Sequence, residues 1–323
     1  SSSRRTNIGF LYLSSALVFQ LADVRTKSTL NTSPSPSLKR WQKYDTNFKK
    51  KNISQKLPVE RMHFEKPHII KLLERLRTFA DENLQQIDTL NVDMSNESDK
   101  FFVGLTVRQF ALSDDLLILF ANKKTKFLTS ELILFRCIAD DYIHTIYLIN
   151  QNNFEEALVK FNAHAISNNF NKIKELTELN ETKLGGNYPF YPTYELLEEV
   201  KEKLKTLPYR EQYFEDKEKF KFKTFKTTGN LIRELIDEPY AHKLQRAYFI
   251  WRKLSDFVHY SNFTFDEERA LNPKVDETYT EFAELIYYSY VIIRTCIEHF
   301  AKNFEVSVID SNNLQDYYKD AEL

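Results

Sequence analysis

The chain has 323 residues and a net charge of −1, a length that buries a core without help from disulfides or a structural metal. Five glycines and nine prolines are far below the usual shares, which disfavours most β folds. The one close glycine pair, Gly185-Gly186, has neither the spacing of a dinucleotide fingerprint nor a following Lys-Ser/Thr, which excludes a glycine-rich phosphate loop. Two cysteines, Cys137 and Cys296, and seven scattered histidines with no H-E-x-x-H segment exclude a disulfide framework and a structural zinc site. A reducing, cytoplasmic setting without a cofactor is the expectation.

Residues 1–61 carry twelve Lys/Arg against three Asp/Glu, and the remainder 33 against 43, a division that marks a basic tail on an acidic body. The tail holds Ser33-Pro34-Ser35-Pro36-Ser37 and Lys49-Lys50-Lys51, which solvate the backbone more readily than they pack it. A flexible, weakly ordered N-terminal arm is expected over 1–61. Inside it the apolar run 8–22, behind Arg4-Arg5, has the outline of a secretory signal. At about 15 residues it is short of the roughly 20 that a bilayer core requires, so no membrane span is expected. An arm, a targeting or membrane-surface segment and a true signal remain the three readings of it.

From Pro67 onward apolar residues recur at helical spacing. Ile69, Leu72, Leu73, Leu76, Phe79, Ala80, Leu84 and Ile87 form one amphipathic stripe, with Pro67 in the first turn, where its missing N–H costs nothing. The runs 101–120 and 128–149 are apolar around most of their circumference and should be central helices; a fourth run covers 154–176. Gly185-Gly186-Asn187-Tyr188-Pro189-Phe190-Tyr191-Pro192 is the strongest break. A charged helix over 194–207, a long one over 242–260 and a last one over 278–303 follow. The expected fold is all-α: a bundle over 62–309 with long central helices, an irregular excursion around 184–228, and a loose C-terminal tail over 310–323.

Arg136, Asp140 and His144 are spaced by four, so they fall within about 80° of one helix face, among Leu132, Phe135, Ile138, Ile143 and Ile146. Burying an arginine and an acid is costly unless they pair, so both are expected to be mostly buried and bonded to each other. The last helix repeats the pattern with Arg294 and Glu298. Ser255 and His259 lie one turn apart in the segment between. An arginine, an acid and a histidine that converge can bind an anion or assist phosphodiester cleavage. The plainer reading is a set of satisfied ion pairs and a core histidine at a helix end.

Arg136-x3-Asp140 followed by Ser255-x3-His259 resembles a prokaryotic all-helical family of unknown function that carries Arg-x3-Glu and Ser-x3-His segments, with Asp140 where that family has Glu. Arg294-Thr295-Cys296-Ile297-Glu298-His299 resembles the Arg-x4-to-6-His motif of the HEPN superfamily (higher eukaryotes and prokaryotes nucleotide-binding). That resemblance implies a metal-independent ribonuclease of a toxin or antiviral defence system. It would use Arg294 and His299, with His259 as a further catalytic candidate and Arg136, Asp140, His144, Ser255 and Glu298 in support. It also implies a homodimer joined through the last long helix. Thr295 stands where HEPN nucleases often carry Asn, Asp or His. The alternative from a different class is a non-catalytic helical interaction or regulatory module.

Lys219-Phe220-Lys221-Phe222-Lys223 alternates base and aromatic with period two. In an extended conformation Lys219, Lys221 and Lys223 would track a phosphate backbone while Phe222 stacked on bases. An edge strand pinned by its phenylalanines, its lysines deterring pairing, is the structural alternative.

Overall fold

The computed structural model describes residues 64–122, 128–186, 191–206, 208–235, 238–258 and 276–316; the N-terminal arm lies outside them. Helices dominate, with α1 Lys66–Thr89, α2 Glu97–Asn122, α3 Thr129–Ile149, α4 Phe154–Lys183, α5 Tyr194–Thr206, α6 Thr228–Glu234, α7 Ala241–Ser255 and α8 Asp276–Phe300. The sheet among the described residues is the antiparallel pair β1 Phe214–Asp216 and β2 Lys221–Phe222. Among them, too, no helix is long and apolar enough to cross a membrane. The expected all-α bundle is what forms.

The aromatic contacts define how the helices run. Phe120, Phe135 and Phe282 meet at one level, Phe135 stacking on Phe282 at 4.5 Å between centroids, and Tyr142 stacks on Tyr288 at 4.2 Å. So α3 and α8 run the same way, while α2 runs against both, its Phe102 lying on His299 at the far end of α8. α7 comes back along α3, with Trp251 and Ser255 beside Arg136. One continuous apolar core joins α1, α2, α3, α7 and α8. Its fully buried rings and aliphatic chains, from Ile69 and Leu76 through Phe135 to Ile293 and Phe300, are the dominant stabilising term. Cys296 is part of this packing. Burial pushes its thiol up to about 12, so it stays protonated and inert.

α4 outruns its predicted end and stops at the glycine pair. Gly185 and Gly186 adopt φ of 62° and 71°, the left-handed conformation that an L side chain resists, and the Gly186 N–H reaches back to the Asn180 carbonyl at 3.0 Å. The excursion beyond is packed rather than loose. Leu204, Tyr213, Phe214 and Phe222 make a second small core against Ala163 of α4.

The C-terminal tail, expected to be loose over 310–323, differs from that expectation as far as residue 316. Residues 304–316 lie on α1, and Leu314 is 0% exposed in the main core. Asn83 explains it: its Nδ2 donates to the Ile309 carbonyl at 2.8 Å and its Oδ1 accepts the Ile309 N–H at 3.1 Å. No helical periodicity runs through 304–316, so the helix pattern did not reveal this segment. The part of the tail after 316 lies outside the described residues.

Candidate functional site

The predicted α3 stripe is present, but its internal pairing is different. Arg136 does not bond Asp140. It donates from Nε to Ser255 Oγ at 2.9 Å, and its guanidinium lies 5.0 Å over the Trp251 ring. Side chains of a helix lean towards its N-terminus, and at that end the C-terminus of α7 offers Ser255, whose hydroxyl in turn donates to the Trp251 carbonyl at 2.7 Å. Two segments 119 residues apart in sequence are thereby joined. His259, the remaining member of that pattern, lies outside the described residues.

Asp140 is 36% exposed and faces His144, whose Nδ1 is 3.7 Å from the carboxylate and 2.9 Å from the Asp140 carbonyl. A carbonyl only accepts, so Nδ1 is the donor in this contact. Phe161 and Phe225 wall the imidazole. His164 of α4 stands nearby, its pKa lowered from 6.5 first by burial and then by the charge of His144.

Sequence reasoning missed the most deeply built polar cluster. Asp141, one residue past the predicted acid, accepts from Arg108 Nε at 2.7 Å and Gln109 Nε2 at 2.8 Å, and Gln109 Oε1 accepts from the buried Ser289 hydroxyl at 2.8 Å. Burial pushes the Asp141 carboxyl up while Arg108 draws it back down. The charge of Asp141 raises the pKa of Arg108, which stays a guanidinium. A second cluster joins α7 to α8. Arg246 grips both Glu284 oxygens at 3.0–3.2 Å, Lys253 holds Glu281 at 2.8 Å, and the Tyr288 hydroxyl donates to Glu284. The polar residues that interrupt apolar runs, Arg108-Gln109, Asp141 and Ser289, were the available signal.

The α8 pair is divided. Arg294 donates from Nε to Glu298 at 2.7 Å, at side-chain exposures of 39% and 53%. His299 turns to α2 instead, where Nε2 lies 2.8 Å from Asp99 Oδ1 and the ring stacks on Phe102 at 4.1 Å. Because Phe135 and Phe282 share a level, Arg294 stands eleven residues, about 16 Å, further along the bundle than the Arg136 level. The two arginines therefore serve separate clusters.

The basic ribbon is a hairpin whose rings face inward. Phe222 is buried against Phe214, and Phe220 packs on Phe170 and Phe214. Phe222 is thus corrected from a base-stacking residue to a core residue, because the second core needs its ring. Lys219 pairs with Asp216 at 3.1 Å and Lys221 with Glu215 at 2.8 Å, while the main-chain N–H of Lys223 binds the Tyr213 carbonyl at 2.9 Å.

Among the described residues, no three His, Cys, Asp or Glu side chains group so as to hold a metal ion. No family model, curated protein or solved structure matches the chain.

The lowered pKa of His164 has a readable consequence. The folded state prefers its neutral form, so its contribution is complete above pH 6.5 and is lost as the pH falls through the lowered value. Urea midpoints measured from about pH 7.5 down to about pH 5 should fall more steeply for wild type than for His164→Gln. Parallel curves would show that His164 does not carry the loss.

Proposed function

We propose that the chain is a non-catalytic helical interaction or regulatory module, in which the Arg/acid and His/acid pairs hold the central helices in register. The observation that supports this reading is the separate engagement of the two motif residues of α8, Arg294 by Glu298 and His299 by Asp99 and Phe102. A HEPN-like nuclease needs both groups at one phosphate, and here each points to its own partner. The two free cysteines fit a reducing, cytoplasmic setting.

A second reading, a ribonuclease with its chemistry on α3, is favoured by His144, whose Nδ1 lies 3.7 Å from the half-open Asp140 carboxylate. The test is RNA cleavage by the purified full chain with chelator present, on single-stranded and hairpin RNAs, together with His299→Ala and His144→Ala. The module reading expects no cleavage by wild type. Cleavage lost in His299→Ala alone would establish HEPN-type chemistry in α8; cleavage lost in His144→Ala alone would place the reaction on α3.

A further inference from the structure

α4 passes from one hydrophobic core to the other within two turns, and its seam with α3 carries two histidines. Ala157 and Leu158 belong to the main core and Ala163 to the second. His164 stands at that crossing, with His144 of α3 near enough for its charge to act on it. Along the seam Phe161 and Phe225 meet each other at 5.2 Å and the His144 ring at 5.4 and 6.2 Å, and Tyr147 meets Phe225 at 5.8 Å. Phe225 lies where the excursion returns to the bundle, so this ring cluster ties the second core to the first. α2 adds a polar tie through Glu97, which accepts from the Asn162 amide at 3.0 Å and from the Tyr213 hydroxyl.

The two imidazoles are not provided for equally. A proton on His144 faces the Asp140 carboxylate at 3.7 Å. Among the described residues no acid is bonded to His164, whose half-buried ring meets the charge of His144 instead. The other charged side chains around α4 are engaged elsewhere. Lys160 pairs with Glu156 at 2.5 Å, Glu155 takes the Ser98 hydroxyl at 2.6 Å, Lys223 of the hairpin acts on Glu156, and Lys205 of α5 lies over the Phe220 ring at 6.0 Å. Two like charges across a seam of rings repel with little water between them, and the repulsion falls as α4 moves off α3 into solvent.

We propose that the α3–α4 seam is a proton-operated latch, which holds α4 and the second core on the bundle at neutral pH and releases them on acidification while the main core stays folded. The smaller unit is the one that yields. Five buried side chains make up the second core, against one continuous core across five helices, and so few do not hold a fold by themselves. Release therefore shows as a sub-global loss of amide protection.

Hydrogen exchange of the full chain, read by mass spectrometry between about pH 7.5 and about pH 5 and divided by the intrinsic rate at each pH, tests the latch. Between pH 6.5 and the lowered value of His164, the open form holds one proton more than the closed form. Protection of peptides from 159–183 and 211–225 should therefore fall by about tenfold per pH unit over that window, while peptides from 282–297 keep theirs. His164→Gln, which cannot take the proton, should flatten the dependence, and His144→Gln, which removes the opposing charge, should narrow the window; circular dichroism checks the fold of both. Equal loss of protection in the two sets of peptides, no loss in either, or a wild-type pH dependence in folded His164→Gln would overturn the proposal. If His164→Gln does not fold, the comparison of the two sets of peptides in wild type still decides it.

Discussion

Asp141→Ala should lower the unfolding free energy by about 2–3 kcal/mol, somewhat less than breaking a fully buried pair costs, because the Arg108 and Asp141 side chains are 32% and 14% exposed. The loss has two parts. The Asp141 carboxylate is the common acceptor of Arg108 and Gln109, so removing it strands a guanidinium and an amide where α2, α3 and α8 meet. Gln109 then loses the orientation that offers its Oε1 to Ser289, and the disturbance spreads to the third helix. Replacing both charges, with Arg108→Met and Asp141→Leu together, should recover most of the loss, because two apolar groups leave nothing unpaired. Urea unfolding of the two single variants and the double variant measures this directly. Additive losses would mean that the pair does not act as a unit.

Asn83→Ala should cost about 2–3 kcal/mol and release the C-terminal segment. The amide makes bonds to the carbonyls of Phe79 and Ile309 and from the N–H of Ile309 and the Gln86 amide. A methyl group leaves the Ile309 N–H and C=O without these partners, and each stranded group carries its own desolvation penalty. Limited proteolysis should then cut within 304–316 while the bundle survives. Cleavage at an unchanged rate would show that the apolar anchors alone hold the segment.

Helical periodicity carried the fold a long way. The stripe from Ile69 to Ile87 and the near-continuous apolar runs of α2, α3 and α8 gave their elements within a few residues, because 3.6-residue spacing is a local property. What the sequence hid was choice of partner. Arg136 has an acid four residues away and bonds a serine 119 residues away, since tertiary geometry brought Ser255 to the side of the helix towards which arginine leans. His299 has Arg294 on its own helix and bonds Asp99, 200 residues earlier. Asp140 and Asp141 are neighbours of the same type, and a phase difference of about 100° turns one to half-open solvent and the other to the junction of three helices. The Asn83 clamp left no pattern at all, because it reads main chain and asks nothing of the side chain it holds.

The central claim is that His299 is a structural clamp between α8 and α2. A double-mutant cycle on Asp99→Ala and His299→Ala, read by urea unfolding, tests it most directly. The 2.8 Å contact between them predicts a coupling energy of about 1–2 kcal/mol, with each single variant destabilised and the double variant little worse than either. A coupling indistinguishable from zero, with His299→Ala as stable as wild type, would contradict the account and return His299 to the list of groups free for chemistry.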